Sequence, residues 1–167
     1  MHRSRLLAVL LVLSAFMFSC SGEDGATGPA GPAGKDGNAN VICFSYPAQT
    51  SGGLFNYPFT ATVGMVDSCM ILGFYQPSTF PTYWYAVPGF GPAAAYQTRF
   101  SLAPAGTDAW NYQVVLLSPT GGSYTASTTF NTFKLFLVPP SSITVMTSRG
   151  VNLLDCEAVS AFLNLNE

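Results

Sequence analysis

From residue 41 onward, apolar and polar residues take turns in short runs, and Gly, Pro, Asn or Asp ends each run. A period of two puts alternate side chains on opposite faces of an extended chain, so the pattern predicts half-buried β-strands rather than helices. Residues 41–46 (VICFSY) read as the first strand. Residues 59–65 read as the next, with Phe59, Ala61, Val63 and Met65 facing one way and Thr60, Thr62 and Gly64 the other. Residues 69–75 (CMILGFY) are almost continuously apolar, which predicts a central strand covered on both faces. Residues 82–87 (TYWYAV) lie between Pro81 and Pro88, and residues 95–102 align Tyr96, Thr98, Phe100 and Leu102. Trp110, Tyr112, Val114 and Leu116 form another inward row. Residues 124–130 read as a Thr-rich edge strand, and residues 133–137 as the last, stopped by Pro139-Pro140.

Turn residues fall between these runs at Ser51-Gly52-Gly53, Pro104-Ala105-Gly106 and Pro119-Thr120-Gly121-Gly122. The tail changes character. Residues 141–146 suit one helical turn, and residues 155–163 (DCEAVSAFL) a helix that Asp155 or Asn152 can cap, with Glu157 in its first turn. Cys156, Val159 and Phe162 or Leu163 share a face of that helix, which predicts packing on a sheet. The expected fold is all-β, a sandwich of about seven or eight antiparallel strands (or a partly closed barrel) with a short C-terminal helix.

Upstream of residue 41 the chain carries two further signals. Residues 1–19 open with Arg3 and Arg5 and continue as an apolar run from Leu6 to Phe18. That run is shorter than the ~20 residues a membrane span needs, and it suits the core of a signal peptide. Between residues 20 and 40, glycine recurs at Gly22, Gly25, Gly28, Gly31, Gly34 and Gly37, with Pro29 and Pro32 following two of them. Glycine at every third position is what the crowded axis of a collagen triple helix demands. Two readings of this segment stay open. One is a solvated, polyproline-like spacer reaching roughly 55 Å; the other is a stub that zips three copies into a homotrimer. The expected organisation is therefore a signal peptide over 1–19, a spacer over 20–40 and a β-domain over 41–167.

Composition narrows the function. Charged residues make up 8% of the chain and hydrophobic ones 49%, a balance that excludes disorder for the body of the protein. From Cys20 onward there are four basic residues (Lys35, Arg99, Lys134, Arg149) against eight acidic ones. With no basic cluster, nucleic acid is excluded as a partner, because its binding depends on neutralising phosphates. The only histidine is His2, in the leader, so neither a Ser-His-Asp nor a Cys-His pair is available to the domain. No cofactor or metal set is expected either, since no Cys-x-x-Cys occurs. Asp67 and Asp108 are the carboxylates that folding could pair for hydrolysis, the most distant of the functional options.

Ser19-Cys20 followed by polar Ser21 and Gly22 and acidic Glu23 and Asp24 resembles a bacterial lipoprotein signal, in which the cysteine becomes the acylated first residue. Met17 and Phe18 depart from the usual residues before it, and such relaxed versions are similar to those of Bacteroidota-type lipoproteins. The phrase GPAGPAGKDGNANV (residues 28–41), the strand TYWYAVP and the closing LLDCEAVSAFLNL (residues 153–165) extend the likeness. The chain resembles small lipoproteins of that group with a collagen-like stub and a β-sandwich. The resemblance implies lipid attachment at Cys20 and an outer-membrane place, facing the cell surface or the periplasm, and it points to no particular activity. Cysteines at 43, 69 and 156 depart from the pattern.

Three constellations remain in the domain. Cys43 and Cys69 both fall in expected strands, where an exported protein can bridge them or keep them as buried thiols. Gly89-Phe90-Gly91-Pro92-Ala93-Ala94 spells a dinucleotide fingerprint but sits among strands and prolines, so a loop is the expectation. Aromatic residues are the one surplus. Tyr83, Trp84 and Tyr85 adjoin Phe90, and exposed rings there could stack on a glycan or meet a surface protein. The expected role is structural, adhesive or interactive, in a non-enzymatic protein held to the membrane by lipid. The alternative is a carbohydrate-binding module using exposed aromatics.

Overall fold

The computed structural model describes residues 41–164; the leader, Cys20 and the Gly-X-Y segment lie outside the described residues. Nine strands and three short helices follow one another within them. They are β1 (Ile42–Tyr46), β2 (Gln49–Ser51), β3 (Leu54–Thr60), α1 (Val63–Ser68), β4 (Met70–Pro77), β5 (Tyr85–Val87) and β6 (Gly89–Phe90). After a 3-10 turn at Pro92–Ala94 come β7 (Gln97–Gly106), β8 (Ala109–Leu117), β9 (Thr128–Val138), α2 (Pro140–Ser148) and α3 (Cys156–Phe162).

All pairings between strands are antiparallel. One sheet runs β1-β9-β4-β5, with β2 also on β9; the other runs β3-β8-β7-β6. The two sheets form a β-sandwich. The strand β3 shows why the alternation works: Phe55, Tyr57 and Phe59 are buried while Leu54, Asn56, Pro58 and Thr60 are exposed. It tolerates Pro58 because it is an edge strand with no partner for a missing N–H.

The sandwich core is built from stacked rings. Phe55 lies on Phe130 at 4.1 Å, Tyr57 on Phe133 at 3.8 Å, and Tyr75 on Phe130 at 3.9 Å. Such pairs contribute about 0.5–1.5 kcal/mol each beyond the area they bury. Across the first sheet lies a second apolar layer, where Phe74, Phe136 and Val138 pack with Met146 of α2 and with Cys156, Val159 and Leu163 at α3. The described domain is thus a three-layer stack around the first sheet. The strand β4 lies between β9 and β5 with both faces covered, as its continuous apolar run predicts. The helix α3 is capped by Asp155, whose carboxylate accepts the N–H groups of Glu157 and Ala158 at 3.0 and 3.1 Å.

Several expectations need correction. The strand expected at 59–65 ends at Thr60, and Val63 and Met65 belong to α1. Thr62 caps that helix by accepting the Met65 N–H, and Met65, Val66 and Cys69 lean on the sandwich core. The alternating residues were a coincidence of spacing; closing the end of the sandwich prevails over their β propensity. The runs at 124–130 and 133–137 are parts of one neighbourhood: β9 is a single central strand and Tyr124 precedes it. A bulge opposite Gln76/Pro77 turns both Phe130 and Phe133 toward the sandwich core, which breaks the two-residue period and gives the appearance of two strands. Finally, no disulfide joins Cys43 and Cys69: Cys43 packs on the helix side of the first sheet and Cys69 on the sandwich side.

Candidate functional site

Between β4 and β5 the chain leaves the first sheet as a loop over residues 78–84. The Ser78 N–H donates to the Thr129 carbonyl at 2.9 Å, the Phe80 N–H to Pro77 at 3.0 Å and the Tyr83 N–H to Phe80 at 3.2 Å. These bonds fold the loop back on itself and push two rings outward. Phe80 is 43% exposed and Tyr83 62%, and the pair meet edge to face at 6.5 Å. In a chain this apolar, rings that the fold leaves in water are the informative ones.

A hollow lies on either side of this ridge. The first, of about 340 Å³, is lined by Thr82, Tyr83 and Trp84 on one wall and by Asn152, Leu154, Asp155 and Glu157 on the other. The second, of about 310 Å³, lies at the end of the sandwich between Phe80, Pro92, Tyr96 and Tyr124, with hydroxyl-bearing residues including Ser78 and Thr129 around it. No charged residue lines the second hollow.

The sequence-predicted aromatics do not form one platform. Tyr83 and Trp84 share the first hollow. Trp84 is half-buried against the helix layer, and the Lys134 ammonium stands 5.5 Å from its ring centroid, so part of that ring is already engaged. Tyr85 faces the other way, half-buried beside Tyr75 at 5.6 Å. Phe90 is 59% exposed but belongs to β6, in the second sheet. Tyr96 and Tyr124 count among the surplus aromatics of the sequence, whereas Phe80, which joins them at the second hollow, was missed. Its only signal in the sequence is the Pro77-Ser-Thr-Phe-Pro81 run, which encloses the ring between two prolines.

Four core tyrosines, Tyr57, Tyr75, Tyr96 and Tyr112, bury hydroxyls that find no hydrogen-bond partner. Those of Tyr75 and Tyr96 are neighbours in the core and act on one another. Burial pushes Tyr96 up to about 12, while the Tyr75 hydroxyl pulls it the other way. Tyr75 is raised well above the usual phenol range, first by burial and then by Tyr96.

The remaining candidates lie apart from both hollows. Asp67 is exposed on α1, and Asp108 sits in the β7–β8 turn, where its carbonyl accepts the Ala61 N–H at 2.9 Å. Gly89 to Ala94 forms β6 and the 3-10 turn, without the strand-to-helix crossover a dinucleotide site requires. Among the described residues no group of three or more His, Cys, Asp or Glu could hold a metal ion, and no helix is long and apolar enough to cross a membrane. Comparison with protein-family models, with curated proteins and with solved structures finds no match.

Proposed function

We propose that this chain is a non-enzymatic, lipid-anchored protein of the cell envelope, exported to the outer membrane and displayed at the surface in an adhesive or interaction role. The observation that carries the interaction role is the 78–84 loop, which sets Phe80 and Tyr83 in solvent between two hollows of a charge-poor sandwich. The anchor rests on Cys20 and the apolar leader before it, and the Gly-X-Y segment supplies the spacer. Each acyl methylene placed in the bilayer contributes about 0.8 kcal/mol, and stable attachment takes more than one chain. Changing Cys20→Ser is expected to move the protein from the membrane fraction to the soluble fraction. Retention of the variant in membranes would overturn the lipoprotein reading.

A second reading, a carbohydrate-binding module using exposed aromatics, is favoured by the same loop. Tyr83 and Trp84 stand beside Asn152, Asp155 and Glu157, the mixture of rings and polar side chains that sugar recognition uses. A glycan array probed with the full-length protein tests it, and binding to no glycan would remove it.

A further inference from the structure

Three cysteines lie in the described domain, and the first sheet sorts them. Cys69 packs with the sandwich core on one side of that sheet. Cys43 and Cys156 both pack on the other side, in the layer built on Phe136, Val138 and Val159. Three thiols allow three pairs, and the two that include Cys69 would have to pass through the sheet. Only Cys43 with Cys156 stays within one layer. Register places the first of them. Cys43 stands opposite Phe136 across the β1–β9 pair, so the two side chains leave the same face of the sheet. That face is the one α3 covers, and Cys156 is its first residue. Burial holds the Cys156 thiol up at about 11, and charge on Cys43 pushes it the same way, so the two sulfurs act on one another. Their exposures differ: Cys43 is half-buried and open to a reagent, whereas Cys156 is only 1% exposed.

We propose that Cys43 and Cys156 form a disulfide when the protein meets an oxidising compartment, stapling β1 to α3. The proposal rests on the reading that the chain is exported, because disulfides persist where thiols are not kept reduced. The oxidant is a protein thiol–disulfide oxidoreductase of the envelope. The Cys43 thiolate attacks one sulfur of that enzyme's disulfide, which forms a mixed disulfide and releases the enzyme's other sulfur. Cys156, once α3 opens, attacks the Cys43 sulfur and displaces the enzyme. Two cysteine thiols become one disulfide, the enzyme's disulfide becomes a dithiol, and both protons pass to it. In the reduced protein Cys156 stays a buried thiol. The staple has a mechanical use. β9 is the one partner strand of β1, and the Gly-X-Y segment joins the chain just ahead of it, so a pull on the spacer reaches β1 first. A bridge to α3 ties that strand to the last helix and closes nearly the whole domain into one loop, which restrains the unfolded chain strongly.

The test is peptide mapping of the full-length protein, alkylated in urea and digested with chymotrypsin without reductant. Chymotrypsin cuts at the aromatic residues between Cys43 and Cys69 and so separates the two. One sample is extracted from the cell envelope; the other is the same protein, reduced and then equilibrated in a glutathione disulfide buffer. In both, the Cys43 and Cys156 peptides are expected joined and Cys69 alkylated. If they are joined only in the glutathione sample, the pairing stands and the export reading falls. A bridge to Cys69, or alkylation of both Cys43 and Cys156 after glutathione treatment, overturns the proposal. Unfolding in urea gives the second readout. Reductant is expected to lower the midpoint of the oxidised wild type and of Cys69→Ser and to leave that of Cys43→Ser unmoved. A fall of equal size in all three variants would also overturn it.

Discussion

Gly73 and Tyr112 offer the sharpest test of how the sandwich core is packed. Gly73 lies in β4 opposite Leu135 and Val87, and its missing side chain leaves room for a tyrosine from the facing sheet. A Cβ at Gly73 would stand 2.8 Å from the Tyr112 hydroxyl and 3.1 Å from both the Tyr112 and Phe133 ring tips. Overpacking of this kind costs about 1–3 kcal/mol. Alanine offsets about 0.4–1 kcal/mol of that by restricting the unfolded chain. Gly73→Ala should therefore destabilise the domain by about 1–2 kcal/mol. Tyr112→Phe should act in the opposite direction. Its hydroxyl is buried without a partner, and phenylalanine keeps the stack on Phe100 at 5.0 Å, so a gain of about 1 kcal/mol is expected. In the double variant the closest contact is gone but Phe133 still crowds the new methyl. The alanine penalty should then fall by about 1 kcal/mol without vanishing. Urea denaturation with an unchanged m-value measures all three variants. Loss of stability on Tyr112→Phe would mean that the hydroxyl has a buried partner, and additive effects would mean that the hydroxyl contact is not what excludes a Cβ; either result refutes the reasoning.

Other consequences follow from single groups. Burial pushes the Cys156 thiol up to about 11 from 9.0, against smaller downward pulls from Ser160 and Lys134. The unfolded chain gives up that proton at lower pH than the folded one, so this contribution to stability is whole below pH 9 and lost as pH rises through about 11. Urea midpoints measured across that window should fall, and Cys156→Ala should make the fall shallower. The same burial should leave Cys156 resistant to alkylation near neutral pH until denaturant is added, which intact-mass measurement reads directly. Asp155→Ala removes the acceptor for two N–H groups at the start of α3 and should cost about 1 kcal/mol in thermal unfolding, whereas Asp155→Asn should recover most of it.

The sandwich was legible because burial follows period two wherever a strand is straight. The row Tyr112-Val114-Leu116 is buried along its strand as its alternation predicts, and Asp155 caps the helix for which its carboxylate suits it; Phe55-Tyr57-Phe59 keeps the same period, but the strand expected there began only at Phe59. Reading failed where local spacing and tertiary packing part company. The bulge in β9 shifts the phase between Phe130 and Phe133, which no periodicity count can see without the partner strand. Residues 63–65 alternate, yet the chain must close the sandwich end there and does so with a capped helical turn. The functional candidates were harder still. Alternation along TYWYAV sets Trp84 and Tyr85 on opposite faces, as the structure has them, but which face meets the helix layer and which the sandwich core depends on tertiary packing. The cleft residues Phe80, Tyr96 and Tyr124 come from three separate connections, and only the folded register brings them together.

The layering also limits where an open surface can lie. One sheet is covered on both faces, by its partner sheet and by the helices, and can present nothing flat to a ligand. The outer face of the other sheet is open, but its polar side chains serve one another: Ser101 bonds to Gln113 at 3.3 Å, and Gln113 donates to Asn56 at 3.0 Å, a ladder across three strands. Groups already paired gain little from exchanging partners with a ligand. The rings that folding leaves in the 78–84 loop, Phe80 and Tyr83, are by contrast exposed. A sheet covered on both faces and a sheet whose outer polar groups are paired thus leave a connecting loop, residues 78–84, to carry exposed aromatic surface.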